Sequence, residues 1–224
     1  MATVENHLPE SKVPASNGLF GLISNLAIKN VILTYVSRHD ALTGLLNKDA
    51  CKGEIEERMR GEQPFGVIIM DLDGFKAVND TLGHAEGDRL LEDFGAHLQS
   101  EFRREGDVIA HEKMINQPVN EDETEVPMGR YGGDEFVIVP DLSDRDRKDG
   151  LNVAERMDKA MEYTRDVVAD FVGQQEQSIR DLGFNASIGG ATWEPGSTAT
   201  LTDLMKNADS AMYEDKRAHG APVR

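Results

Sequence analysis

The stretch Arg130-Tyr131-Gly132-Gly133-Asp134-Glu135-Phe136-Val137-Ile138-Val139-Pro140 decides how this chain is read. Paired glycines permit a tight turn and a close approach of backbone to a ligand, because no Cβ intervenes. Two adjacent carboxylates follow, then an apolar run closed by proline. The pattern predicts a turn feeding a buried strand, with negative charge held at the strand's mouth. A buried carboxylate is costly unless a metal or another cation meets it. The pair is therefore either a solvated turn or one wall of a cation site, and the neighbouring segments must decide.

A second acidic group stands upstream. Phe65 to Met70 is a continuous apolar run, expected as a central strand, and it leads into Asp71-Leu72-Asp73-Gly74-Phe75-Lys76. In extended backbone, positions 71 and 73 point to the same side. Acids at a strand's end beside a glycine turn suit a hard cation bound through oxygen. The segment does not fit a helix-loop-helix calcium site, because Phe75 sits where that loop needs another oxygen ligand. The chain has no Gly-x-x-x-x-Gly-Lys-Ser/Thr loop. Any phosphate would be held by the loop Asp73 to Lys76, through backbone amides and the Lys76 ammonium.

Around these groups the periodicities alternate. Residues 1–17 are polar and read as a tail. Residues 18–39 show apolar positions at helical spacing, with Leu19, Leu22, Leu26, Leu33 and Val36 in one row and Ile28, Ile32 and Tyr35 in another. Such a helix either packs on the domain behind it or pairs with a second copy. A polar helix is expected over Lys48 to Arg60, and another from Asp88 to Arg103, with Asp80 and Asp88 fitting helix caps. Val108 to Ala110 opens a strand. Residues 111–129 are acidic and aperiodic and read as an exposed insertion. Val153 to Phe171 is an amphipathic helix, and Phe184 to Trp193 a strand whose Gly189-Gly190 marks a bulge or close packing. The last helix, Leu204 to Arg217, is expected to start at an Asp203 cap and to turn Met205, Ala208, Met212 and Tyr213 inward. Interleaved strands and helices imply a mixed sheet flanked by helices, an α+β arrangement.

Composition narrows the partners. The 224 residues carry 24 Lys and Arg against 41 Asp and Glu, a net charge of −17, and 39% hydrophobic residues support a packed core. That field opposes nucleic acid polymers and anionic membranes, so a nucleotide would need a locally organised site with divalent metal. The single cysteine, Cys51, rules out an internal disulfide and a cysteine zinc cluster, and suits a reducing, cytoplasmic setting. No apolar run approaches the roughly 20 residues of a membrane span, and no secretory signal is apparent.

Taken together, the blocks resemble the GGDEF domain, the catalytic domain of diguanylate cyclases. The resemblance is carried, in order, by Asp40-Ala41-Leu42-Thr43-Gly44-Leu45-Leu46-Asn47 and by Asp71 to Lys76 with Asn79-Asp80. It continues through Gly83-His84, Gly87-Asp88, Arg130 to Phe136 and Ala186-Ser187-Ile188-Gly189, and ends on Ala208 to Tyr213 with Lys216. It implies an adenylyl-cyclase-like sheet of about five strands wrapped by helices, occupying residues 40–224 behind the helix of residues 18–39. It also implies a reaction: two GTP are condensed into cyclic di-GMP with release of pyrophosphate, by a homodimer whose subunits each hold one GTP.

The same resemblance assigns roles. Asp71, the Leu72 carbonyl, Asp134 and Glu135 would hold Mg²⁺ or Mn²⁺. Asp134 or Glu135 would act as base, with the choice left open. Gly74, Phe75, Gly132 and Gly133 would approach the phosphates or ribose, and Lys76 and Lys216 would stabilise charge on the transferring phosphorus. Asn79 and Asp88 correspond to the guanine readers, and His84 is either a ligand contact or a structural hydrogen bond. Arg104-Glu105-Gly106-Asp107 fits the product-binding inhibitory signature Arg-x-x-Asp, displaced from the glycine pair by the insertion. The family's terminal phosphate-binding arginine has no clear counterpart, since Lys216-Arg217-Ala218-His219-Gly220 stands in its place; Arg217 and Arg224 are the alternatives. The retained acids favour an enzyme over two other readings, a silent module that binds GTP or cyclic di-GMP to regulate a partner, and an association scaffold.

Overall fold

The computed structural model describes residues 29, 30, 32–104, 126–143 and 150–220, and the chain divides into two compact units, 1–37 and 38–224. In the first unit residues 29, 30 and 32–37 are helical, and Ile32, Leu33, Tyr35 and Val36 are exposed.

The second unit is built on β1 (Phe65–Asp73). Its run of apolar residues is continuous because both faces are covered. Ile68, Met70 and Leu72 pack with α3 (His84–Arg104) and α4 (Val153–Gln174), through Leu91, Phe94, Val168 and Phe171. Phe65, Val67 and Ile69 pack with Ile55 of α1 (Lys48–Met59) and with Leu204, Ala208 and Met212 of α6 (Leu201–Ala218). Each such side chain withdrawn from water contributes about 1.5–3 kcal/mol, and the period of two along the strand divides that burial between two cores.

Around β1 lie β2 (Met128–Gly132), β3 (Glu135–Ile138) and β4 (Asn185–Trp193), in the order β2-β3-β1-β4 with every neighbouring pair antiparallel. The strand expected at Val108 to Ala110 falls outside the described residues, so four of the roughly five expected strands are on view. β2 begins at Met128, inside the stretch assigned to the insertion.

Several boundaries differ from expectation. The loop expected at Asp73 to Lys76 is a strand end followed at once by a helix, α2 (Phe75–Leu82), whose Phe75 and Val78 are buried one helical turn apart. Asp80 is therefore inside α2 and Asp88 inside α3, which starts at His84, so neither is a cap. Thr200, not Asp203, caps α6; Asp203 is the third helical residue and closes a capping box with it. Tyr213 is 44% exposed rather than inward. A short helix, α5 (Gln177–Arg180), leads into β4.

Of the two readings of Gly189, close packing is the one observed. β4 pairs with β1 in unbroken register from Phe65–Trp193 to Asp73–Asn185, and a Cβ at Gly189 would overlap the Met212 backbone nitrogen and the Ala208 carbonyl of α6. The absent side chain lets the α6 backbone lie against the sheet. Gly189→Ala should therefore lower stability by about 2–4 kcal/mol, seen as a lower urea midpoint at unchanged slope. Gly53→Ala, at a helical site with open space around it, should instead raise stability by about 0.5–1 kcal/mol.

Candidate functional site

On the α6 side of β1, the apolar series Phe65, Val67, Ile69 gives way to Asp71 and Asp73. Strand register gathers the polar groups there: Asp71 stands opposite Glu135 on β3 and opposite Ser187 on β4. Paired residues share a face of the sheet, so this end of one face is a polar strip, and the last turns of α6 lie over it.

Lys216 of α6 makes an ion pair with Asp71 and stands 3.2 Å from Asp73 Oδ1. Burial works against its charge, yet the hydrogen bonds and charges of Asp71 and Asp73 outweigh burial and hold its pKa above the ordinary lysine value. Asp73 is 3% exposed. Its Oδ2 accepts from Ser187 Oγ at 2.7 Å and lies 3.1 Å from His219 Nε2. Oδ1 is enclosed and lacks a hydrogen bond of good geometry, so the nearby ammonium is its compensation. His219, the C-cap of α6, also reaches Ser187 Oγ at 3.1 Å, and its Nδ1 is 4.0 Å from Asp215. Asp215 in turn accepts from the Ile188 N–H of β4 and pairs with Arg165.

The opening stretch folds as a hairpin. β2 and β3 are joined through Gly133 and Asp134, with the register shifting between Arg130 and Gly132. Arg130 Nε donates to the Gly133 carbonyl at 2.8 Å, and its Nη1 reaches Asp40 at 3.2 Å. Asp40 also accepts from the Thr43 amide and hydroxyl, each at 2.9 Å. Burial would raise the Asp40 pKa, but the Thr43 hydrogen bonds and the Arg130 charge reverse this and hold it below the usual value. The Asp134 carbonyl accepts from Leu72 N–H at 3.1 Å, fastening the turn to β1. Asp134 is buried and Glu135 half-buried. Burial first, then the charges of Asp71 and Asp134, push the Glu135 carboxyl above its ordinary value, with Lys48 opposing.

A cavity of about 370 Å³ opens beside this strip, lined by Asp71, Leu72, Asp73, Gly74, Phe75, Lys76, Ala77, Asp80, Leu182, Gly183 and Lys216. Gly74 holds φ +72° at the start of α2, and a Cβ there would stand 2.9 Å from the Leu182 and Gly183 carbonyl oxygens. Both the left-handed backbone and the closeness of the next loop demand glycine. Most of the residues assigned to metal and phosphate therefore converge. Asn79, His84 and Asp88 do not line this cavity. Asn79 is half-buried on α2, packed so closely on Gly87 that a Cβ there would overlap its amide, while His84 and Asp88 are exposed on α3. Gly132 and Gly133 are exposed at the hairpin tip. Arg104 ends α3, and Asp107 and Arg224 lie outside the described residues; Arg217 is exposed.

Among the described residues no group of three or more His, Cys, Asp or Glu side chains is gathered so as to hold a metal ion. The donor chemistry nonetheless suits one. Burial, and after it the charges of Asp71 and Asp134, raise Glu135, and a hard cation would relieve that surplus of negative charge. Cys51 takes no part: burial, with Glu54 adding to it, pushes its thiol up to about 12. Ser187, His219 and the Asp40–Arg130 pair were not singled out from sequence as members of the site. The Asp40 and Ser187 segments were visible as motif blocks, whereas His219 carried no signal beyond its place near Lys216.

Known proteins resemble this chain in sequence and in fold. Residues 37–114 and 113–221 match the family model described as diguanylate cyclase, GGDEF domain. The chain is 34% identical over 199 residues to the bifunctional diguanylate cyclase/cyclic di-GMP phosphodiesterase MucR of Pseudomonas aeruginosa, covering 87% of this chain and 24% of MucR. It is 32% identical over 190 residues to the diguanylate cyclase DosC of Escherichia coli, covering 81% of this chain and 34% of DosC. The chain thus spans about a quarter to a third of these relatives. Among solved structures, the coiled coil and GGDEF domain of DgcB from Caulobacter crescentus, in complex with c-di-GMP, superposes with a TM-score of 0.63 at 21% identity, covering 89% of this chain and 91% of that one. That likeness shows the fold. No helix among the described residues is long and apolar enough to cross a membrane.

The carboxylate crowding predicts a stability effect with a definite sign. A carboxyl whose folded pKa is raised stabilises the fold below its unfolded value, about 4.3 for glutamate, and that contribution is lost as pH rises through the folded value. Glu135→Gln keeps the neutral state at all pH. It should raise the melting temperature by about 1–3 °C at pH 7, with the gain vanishing as pH falls toward 4, read by thermal denaturation without added metal.

Proposed function

The chain belongs to the GGDEF domain family, and on that premise we propose that it condenses two GTP into cyclic di-GMP, releasing pyrophosphate, as a homodimer of half-sites. One observation carries the reading: the strand register that sets Asp71 opposite Glu135 while Leu72 N–H bonds the Asp134 carbonyl. The residues that match the family's metal ligands are thereby neighbours at one end of one sheet. Asp71, the Leu72 carbonyl, Asp134 and Glu135 would hold Mg²⁺ or Mn²⁺, which would supply charge neutralisation at the triphosphate and a lower pKa for the attacking 3′-hydroxyl.

The chain's own groups do the rest. Lys76 and Lys216, both on the cavity wall, offer ammonium charge to the non-bridging phosphate oxygens as negative charge develops there. Gly74 and Phe75 present backbone at the start of α2, where unsatisfied amides favour anions. Gly132 and Gly133 keep the hairpin tip free of side chains where ribose and phosphate enter. Asp134 or Glu135, the latter set opposite Asp71, takes the 3′-hydroxyl proton. Asn79 and Asp88 read guanine, whose N1–H and N2–H a carboxylate accepts together, and His84 borders that base. The second GTP comes from a second copy, and the exposed Ile32, Leu33, Tyr35 and Val36 of the leading helix support self-association. A cytoplasmic setting fits the substrate.

Incubation with GTP and Mg²⁺ should yield cyclic di-GMP, detected by mass spectrometry, at a rate rising more steeply than linearly with protein concentration. Asp134→Ala should reduce the rate by at least about 10²-fold; undiminished product from that variant would remove the metal assignment. Tight GTP binding without product would instead support the silent regulatory module. Arg104 and Asp107 are proposed to bind the product and inhibit, so Arg104→Ala should weaken inhibition by added cyclic di-GMP. Unchanged inhibition would discard that site.

A further inference from the structure

Lys216 is bonded to the very carboxylate that the reading above gives to the metal. Its ammonium pairs with Asp71 and stands 3.2 Å from Asp73 Oδ1, with only 12% of its side chain exposed. Asp73 is fixed independently, by Ser187 Oγ and His219 Nε2 on its other oxygen. Both aspartates line the cavity, and the Asp71 side chain is 16% exposed against 2% for Asp73. The lysine therefore has one rigid, enclosed partner and one accessible partner. Neither carboxylate can be left buried and unpaired without penalty.

We propose that Lys216 is an internal counter-ion that holds Asp71 in place of a divalent cation until nucleotide arrives, with Asp73 as the tether it keeps. A cation alone must displace the ammonium from Asp71 and strand it with half of its compensation gone. A cation that arrives with a triphosphate brings the anion that receives the ammonium, so the exchange is balanced in charge. Metal and nucleotide then bind with positive coupling, and Lys216 is the residue through which the coupling runs. The inference rests on the metal reading of Asp71 and goes beyond it in assigning an order and a cause.

Binding of Mn²⁺, followed by electron paramagnetic resonance, tests this without turnover. The titration is made alone and with a GTP analogue carrying methylene between the α and β phosphates. Lys216→Gln and Lys216→Met should each bind Mn²⁺ alone about tenfold more tightly than the unaltered chain, and the enhancement given by the analogue should fall by a similar factor. Lys76→Gln removes the same charge from the same cavity wall and should change Mn²⁺ affinity by less than about threefold. An equal gain in Lys76→Gln would reduce the effect to the general field and overturn the proposal. Unchanged Mn²⁺ affinity in both Lys216 variants would overturn it as well. Absence of Mn²⁺ binding in every variant, with or without analogue, would remove the metal assignment along with it. If no cyclic di-GMP forms yet the Lys216-dependent gain is seen, the proposal stands and only the catalytic reading falls.

Discussion

Carboxylates placed at the end of a central strand repel one another, and the geometry around β1 is what this chain does about that repulsion. Asp71 and Asp73 share a side because a strand alternates, and Glu135 joins Asp71 because β3 pairs with β1 at that register. The positive charge that Asp71 and Asp73 meet is not on the strands. It comes from α6, whose Lys216 meets both aspartates. That helix can reach them only because Gly189 lets its backbone settle onto β4. A glycine near the middle of β4 and a lysine near the end of the next helix are thus parts of one arrangement.

Much of this is legible in the sequence. The unbroken run Phe65 to Met70 marked a strand covered on both faces, and the two cores bear that out residue by residue. The acids at 71 and 134–135 and the turn at Gly132-Gly133 were equally plain. What escaped were features set by distance across the fold. α2 was hidden because Gly74 followed by a short segment looks like a loop until Phe75 and Val78 find buried neighbours. The Asp80 and Asp88 caps failed for the same reason, since both helices begin earlier than their most conspicuous apolar rows. The Asp203 cap failed because Thr200 and Asp203 can both cap, and only the reciprocal hydrogen bonds separate their roles. His219 was invisible as a site residue: its significance lies in Asp73 and Ser187, more than a hundred and about thirty positions away.

The hairpin tip has a second support that bears on how it could be controlled. Arg130 ties the Gly133 carbonyl to Asp40, and Asp40 is locked by Thr43. Asn47 N–H also donates to the Arg38 carbonyl, so residues 38–47 form a braced turn attached to the hairpin. This turn is joined to the hairpin both by the Arg130 guanidinium and by the backbone of Leu46, which donates to the Met128 carbonyl and accepts from Arg130 N–H. The planar fork of arginine holds two partners in fixed relation, which makes the link stiff where a lysine would make it loose.

Stability and chemistry pull against each other at this strip. Glu135 is held in a state that folding alone disfavours, above its ordinary pKa because burial and two aspartates surround it. Lys216 relieves Asp71 and Asp73 and offers Glu135 much less. Lys48 opposes the shift at Glu135 without cancelling it. On the metal reading proposed above, that residual repulsion is what a cation at the end of β3 would relieve. On this view the Asp71–Lys216 pair is the exchangeable part of the arrangement and Asp73–Ser187–His219 the fixed part. Asp73 and Ser187 of the fixed part are the more deeply buried, as an anchor for a moving ammonium should be.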